Sequence, residues 1–306
     1  MKVLFAGSPK SSAIILNSLS IGQFNIVGVI SKPDKRSKRG GGKEQSPVSA
    51  EASRLGIPTF KPDLLDQSFQ KEITSLEFDF IIVSAYGKIL PEWLLNLPKV
   101  APVNIHFSLL PNYRGASPIQ AAILNNDKKT GVSVMKMSIG MDEGPVYCFH
   151  EQEILRSDHK IDLEKKLTSL CIKNLSSDLK KIFDNKLVPV EQNIREISYC
   201  AKIDKLSGRI DFRNEKTLAI FQKHKAFFEW PGLYFEKNNL AIKIHGLAEY
   251  DNNIDGPLDK MFKFISSGLA VKTNDTSIVI THLQFPGKRI TPSLDAANSH
   301  AEFFEN

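Results

Sequence analysis

Four short apolar runs punctuate the first third of this chain: Lys2–Gly7 (KVLFAG), Asn25–Ser31 (NIVGVIS), Phe78–Ala85 (FDFIIVSA) and Val100–Phe107 (VAPVNIHF). They lack polar alternation, as strands covered on both faces do. Helix signals separate them. Ser11–Leu19 repeats Ile14, Ile15 and Leu19 at helical spacing, Ser46–Leu55 opens with a serine cap and Pro47 in its first turn, and Leu64–Leu76 is helical in pattern. With a further short strand at Ile57–Phe60, the alternation predicts an α/β domain with a doubly wound, mostly parallel sheet. The first turn (GSPKSS) lacks the G-x-G-x-x-G pattern, so it is read as scaffold and not as an NAD site.

Beyond Gly144 the pattern changes. Asp158–Lys186 carries one apolar stripe (Ile161, Leu163, Leu167, Leu170, Leu175, Leu179, Ile182) and predicts a long amphipathic helix. Leu187–Arg213 is aperiodic, as a linker is. A helix at Lys216–Phe227 and short strands at Leu233–Phe235, Leu240–Gly246, Gly268–Thr273 and Ser277–Leu283 then predict a small all-β module, of a class that often binds oligonucleotides. The last residues, from about Ser293, are expected to be a frayed terminus or short helix. The 306 residues, 42% of them hydrophobic, suffice for two domains, placed at 1–187 and 207–306 with a linker at 188–206. No apolar run approaches the roughly 20 residues a membrane span needs, and the amino terminus is too short in its apolar part for a signal peptide. A cytoplasmic protein is expected. Three widely spaced cysteines offer neither zinc-ligand spacing nor a disulfide framework.

Three polar residues stand out in apolar or turn-like surroundings. Asn104 and His106, two apart on one predicted strand, project to the same face just before a loop forced by Pro111, Gly115 and Pro118. Asp142 lies in a turn, GMDEGP. Singly, a buried His is usually a satisfied core residue and a turn Asp is usually local turn chemistry. Together they resemble equipment for acyl transfer to an amine: carboxamide and imidazole donate to a developing oxyanion, and the carboxylate orients the imidazole or relays a proton. No Ser or Cys occupies a nucleophile elbow and no metal-ligand spacing appears. The attacking group is therefore expected to come from the substrate.

The net charge of +6 is concentrated: six of the twelve residues from Lys32 to Lys43 are Lys or Arg, interrupted by Gly40, Gly41 and Gly42. Most such runs are solvated loops. Its place at the carboxyl end of a predicted strand, on the edge that carries Asn104 and His106, favours a basic finger that closes on phosphates.

The segments FAGSP, AYGKILP, NIHFSLLPNYRGASPIQ, GMDEGPV, SYCAKIDKLSGRIDF, WPGLYF and LQFPGK resemble, from Met1 to about Gly287, the methionyl-tRNA formyltransferases within the folate-dependent formyltransferase superfamily. The resemblance implies a Rossmann-like catalytic domain and a smaller carboxyl-terminal OB-like β-barrel domain. It implies formyl transfer from 10-formyltetrahydrofolate to the α-amino group of methionyl initiator tRNA; a monomer that uses no metal is expected. Carried over by motif, it assigns catalysis to Asn104, His106 and Asp142. Folate contacts fall on Tyr86, Gly87, Ile89 and Leu90 and on Ser108, Leu109, Leu110 and Pro111. tRNA contacts fall on Lys35, Arg36, Lys38, Arg39 and Lys43. Two departures are visible: Lys10, Ser11 and Ser12 follow the first turn where relatives carry an acidic and aromatic pair, and Glu229 replaces the usual Asn before Trp-Pro-Gly. Competing readings are a sugar-nucleotide N-formyltransferase with the same donor and a noncatalytic RNA-binding protein.

Overall fold

A computed structural model describes residues 1–22, 24–36, 43–250, 252, 254 and 261–305. The chain divides into two compact units, the first made of Met1–Ala122, Lys128–Leu155 and Asp162–Ala201, the second of Ile123–Asp127, Arg156–Ile161 and Lys202–Asn306.

In the first unit the apolar runs become β1 (Lys2–Gly7), β2 (Asn25–Ile30), β3 (Thr59–Phe60), β4 (Phe80–Ser84) and β5 (Ala101–His106), joined side by side in parallel. Two antiparallel strands, β6 (Lys129–Lys136) and β7 (Val146–Glu153), extend the sheet, giving the order β7-β6-β5-β4-β1-β2-β3. This is the expected doubly wound sheet; β6 and β7 were not anticipated. After Val146, β7 alternates half-buried and exposed residues, so its polar residues break the apolar pattern that marks the central strands. The helices are α1 (Lys10–Ile21), α2 (Pro47–Arg54), α3 (Gln67–Ile73), α4 (Glu92–Leu95), α5 (Pro118–Leu124) and α6 (Lys160–Phe183). Local chemistry starts α2: the Ser46 side chain accepts from the Ser49 N–H, with Pro47 at the position whose missing N–H costs nothing. The α6 stripe buries Leu163, Leu167, Cys171, Leu175, Leu179 and Ile182. Burial at roughly 1.5–3 kcal/mol per large side chain outweighs the exposed ion pairs on this surface, worth about 0–1 kcal/mol each.

Leu4, Ala6, Ile30, Ile81, Val83, Phe69, Ile73, Leu90 and Leu94 make one core cluster of the sheet. Ser12 is fully buried and its hydroxyl donates to the Ser84 carbonyl (2.7 Å), while Ser11 donates to Glu164 (2.9 Å), so both serines of the first departure join α1 to its neighbours.

The second unit contains α7 (Thr217–Ala226), an antiparallel six-stranded sheet and α8 (Ser293–Glu305). Its strands are β8 (Leu233–Lys237), β9 (Leu240–Glu249), β10 (Phe262–Ile265), β11 (Gly268–Lys272), β12 (Ser277–Gln284) and β13 (Thr291–Pro292). They run β8-β9-β12-β11-β10, with β13 on β12. The all-β expectation holds. The carboxyl terminus is a helix because its aromatic side chains have a core to enter: Phe304 is buried, with ring centroids 5.7 Å from Phe262 and 6.5 Å from Phe235.

Candidate active site

Parallel strands end on one edge, and ligands of open α/β sheets bind there, most readily where strand order reverses. In this sheet the reversal lies between β1 and β4, and the segments following β1, β2, β4 and β5 leave from that edge. The Ser8 hydroxyl after β1 donates to the Tyr86 carbonyl after β4 (3.4 Å).

Asn104 and His106 lie on β5 as expected, and both side chains meet the same carboxylate. Asn104 Nδ2 donates to Asp142 Oδ1 (3.1 Å), and His106 Nδ1 stands 3.6 Å from Asp142 Oδ2. Asp142 Oδ2 also accepts the Gly115 N–H (2.9 Å). The other imidazole nitrogen, Nε2, is 2.9 Å from the Tyr113 carbonyl oxygen. A carbonyl only accepts, so Nε2 carries a proton in this contact and Nδ1 is the nitrogen that faces the carboxylate. The imidazole is 6% exposed and Asp142 13%, so the group is largely screened from water. Asp142 has φ +55, a left-handed backbone that Asp tolerates better than most residues.

The loop after β5 is braced from β6. The buried Ser133 hydroxyl donates to the Ser108 carbonyl (2.6 Å) and accepts the Leu110 N–H (3.0 Å). Ser108 itself donates to the Asn112 carbonyl (2.6 Å). Of the residues assigned to folate, Ser108, Leu110 and Pro111 are buried and Leu109 is half-buried; Tyr86 and Leu90 are buried, while Gly87 and Ile89 are exposed. The Tyr86 hydroxyl is enclosed without a hydrogen-bond partner among the described residues, and burial pushes its pKa up to about 12.

Of the basic set, Lys35 and Arg36 pair with Glu44 and Lys43 in a two-stranded ribbon, with Lys35 and Lys43 exposed. Lys38 and Arg39 lie outside the described residues.

Three residues of this site were not singled out from sequence. Ser133 sits in an apolar strand, where an isolated serine is a weak signal. Arg114 belongs to a quoted motif, and its burial to 5% exposure was not foreseen. Gln192, in the stretch read as linker, donates through Nε2 to the carbonyls of Asp142 (2.8 Å) and Gly144 (2.7 Å). Nothing in its local sequence marks it.

Among the described residues, Cys148, His150 and Asp178 form the one group whose donor atoms come close enough to hold a metal ion. His150 Nε2 already lies 2.7 Å from Asp178, and burial, then the Asp178 charge, pushes the Cys148 thiol up to about 12. Those contacts describe a satisfied structural pair beside a neutral thiol. No helix among the described residues is long and apolar enough to cross a membrane.

Two family models match the chain: "Formyl transferase" over residues 1–177 and "Formyl transferase, C-terminal domain" over residues 202–301. A methionyl-tRNA formyltransferase of Sulfurihydrogenibium sp. is 35% identical over 303 residues, covering 98% of this chain and 97% of that protein. Among solved structures, an N-formyltransferase from Helicobacter canadensis in complex with folinic acid and dTDP-3-aminofucose matches with TM-score 0.68 at 21% identity, covering 92% of this chain and 98% of that one. A methionyl-tRNA formyltransferase from Clostridium thermocellum matches with TM-score 0.57 at 14% identity, covering 83% and 95%.

Proposed function

Because the chain belongs to the formyl transferase family through both of its matched regions, we propose that it moves the formyl group of 10-formyltetrahydrofolate onto the α-amino group of methionine carried by initiator tRNA. The observation that carries the chemistry is the convergence of Asn104 and His106 on the Asp142 carboxylate. The acceptor is argued from kinship along the whole chain with methionyl-tRNA formyltransferases, joined to the exposed basic ribbon after β2.

The folate, when bound, supplies an electrophilic formyl carbon. Tyr86, Gly87, Ile89 and Leu90 after β4, with Ser108, Leu109, Leu110 and Pro111 after β5, would line its site. Among the described residues, the second N–H of Asn104 meets only the thioether sulfur of Met135 (3.9 Å), a weak acceptor that the oxygen on which negative charge builds would displace. The Nε2–H is directed at the Tyr113 carbonyl, so in place of the oxyanion donation expected of it from sequence His106 takes a proton on Nδ1, where Asp142 stabilises the resulting imidazolium. Ordinary α-amino groups titrate near about 7.7–8.0, so a substantial neutral fraction is available as nucleophile at physiological pH.

A second reading, N-formylation of an amino-sugar nucleotide, is favoured by the solved structures, whose fold likeness is greater to the Helicobacter enzyme than to the Clostridium one. The Helicobacter match reaches across most of this chain, so a carboxyl-terminal module alone does not select tRNA. The deciding experiment measures transfer from 10-formyltetrahydrofolate to Met-charged initiator tRNA, Met-charged elongator tRNA and amino-sugar nucleotides. Preference for the initiator supports the first reading. Transfer to a sugar alone replaces it with the second.

A further inference from the structure

Residues 190–200, which follow α6 and precede the second unit, form a strap over the two loops that carry the site. Val190 bridges to Val146 through paired backbone hydrogen bonds (2.8 and 2.9 Å). The Ser198 hydroxyl accepts the Tyr113 N–H (2.9 Å), the Ser198 N–H reaches the Pro111 carbonyl (3.2 Å), and its carbonyl accepts the Arg114 N–H (2.9 Å). Tyr199 and Cys200 pair in parallel with Arg114 and Gly115.

Between these ends Gln192 connects one loop to the other. Its Nε2 uses both N–H groups, on the carbonyls of Asp142 (2.8 Å) and Gly144 (2.7 Å). Its Oε1 uses both lone pairs, on Arg114 Nε (3.0 Å) and Nη2 (2.9 Å). All four hydrogen-bonding positions of the carboxamide are thus filled, two of them by a guanidinium that is itself buried. A glutamate of the same size keeps the acceptor for Arg114 but turns a second oxygen on two carbonyls. A leucine leaves a buried guanidinium and two carbonyls without these partners, a large cost in a dry site.

We propose that Gln192 and Arg114 are positioning residues for the transfer reaction, acting through the backbone of Asp142. The Asp142 backbone stands at φ +55, outside the conformations most residues choose, and the Gln192 clamp fixes the direction of its carbonyl. The same loop then presents the carboxylate to Asn104 and His106, while Gly115, next to Arg114, donates to its Oδ2. Rotation of the Asp142 backbone toward a commoner conformation withdraws the carboxylate from both partners. A shift of about 1 Å at a reacting constellation is enough to cost on the order of 10²-fold in rate.

The proposal rests on the reading of Asp142 as a catalytic group and is independent of which acceptor is used. The test measures steady-state transfer by the full-length protein, with whichever acceptor supports turnover, for Gln192→Glu, Gln192→Leu, Asp142→Asn and the double variant Gln192→Glu/Asp142→Asn. Expected are a roughly 10- to 100-fold loss of kcat in both Gln192 variants, KM for both substrates within about threefold, and no further loss beyond about threefold when Gln192→Glu is added to Asp142→Asn. The isosteric Gln192→Glu decides the matter if Gln192→Leu does not fold. Wild-type turnover in Gln192→Glu, a loss confined to KM, or full multiplication of the two losses in the double variant overturns the positioning role. Wild-type turnover in Asp142→Asn overturns the catalytic reading of Asp142 and this proposal with it.

Discussion

Asn104 Nδ2 lies 3.1 Å from Asp142 Oδ1 although the two residues are 38 positions apart in the chain, with the whole of α5 and β6 between them. The contact ties the end of a parallel strand to the β6–β7 turn, and it sets the role a carboxylate can play there. Asp142 accepts from a carboxamide and a backbone N–H while standing beside an imidazole nitrogen, so two donors meet its charge and the imidazole is placed to take a proton next to it. Replacement by Asn keeps the size and removes that charge. Asp142→Asn is expected to lower kcat by about 10²–10³-fold, the range for removal of one electrostatic group aimed at a transition state, with folate affinity within a few-fold of wild type. Single-turnover rates and equilibrium folate titration separate the two; equal losses in both would assign Asp142 to binding.

The basic segment from Lys32 to Lys43 makes a different kind of prediction. Lys35, Arg36, Lys38, Arg39 and Lys43 changed together to Ser should raise the tRNA KM by about tenfold or more and leave kcat at saturating tRNA nearly intact. The log–log salt slope should also shrink, by about 0.7–0.9 for every phosphate that the variant no longer neutralises. Kinetics at about 50 and 200 mM salt provide the check. An unchanged slope would identify the segment as a solvated surface.

The central strands were legible because burial on both faces writes a continuous apolar run, and α6 was legible because one buried stripe repeats at helical spacing. Edge strand β7 alternates and was missed. Asn104 and His106 could be placed on one face from their spacing alone. Asp142 could be joined to them from the chemistry the three side chains would make together, while its contact distances could not be read, since a tertiary contact between residues so far apart in the chain leaves no local pattern. Gln192 was invisible for the same reason: two of its partners are backbone carbonyls, which any sequence supplies.

At Gly115 the loop after β5 runs tight against the strap. A Cβ built there would lie 2.4 Å from the Cys200 carbonyl oxygen, and its φ of +123 belongs to a region that favours glycine. Gly115→Ala is therefore expected to destabilise the protein by on the order of 1–3 kcal/mol. It should also lower turnover, because the Gly115 N–H serves Asp142. Thermal unfolding and transfer kinetics test the two effects; a wild-type melting temperature would mean that the strap yields without cost.

Glu229 has φ +70, a left-handed position in the turn before Trp230 and Pro231. Asn tolerates that region better than Glu, because its short polar side chain can hydrogen-bond to the local backbone. Glu229→Asn should stabilise the protein by about 0.5–1 kcal/mol and raise the melting temperature by a few degrees. A fall would show that the Glu229 side chain makes a contribution greater than the backbone term.

His224 sets an acid limit on the second unit. Burial is the largest cause of its depressed pKa, followed by the charge of neighbouring His159; a hydrogen bond with the His245 backbone works in the opposite direction, and the net result is a fall from 6.5 to about 4. The sign follows from linkage. Between about pH 6.5 and 4 the unfolded chain binds a proton that the folded chain refuses, so stability is fully present above the unfolded value and falls as pH drops through this window. Below about 4 both states are protonated and the loss levels off. The full effect is on the order of 3 kcal/mol for a shift of this size. In His224→Gln the unfolding free energy should therefore fall less steeply from about pH 7 to pH 4 than in the wild type, as followed by denaturant titration at each pH. Parallel pH profiles in the two proteins would assign the acid sensitivity to carboxylates elsewhere in the chain.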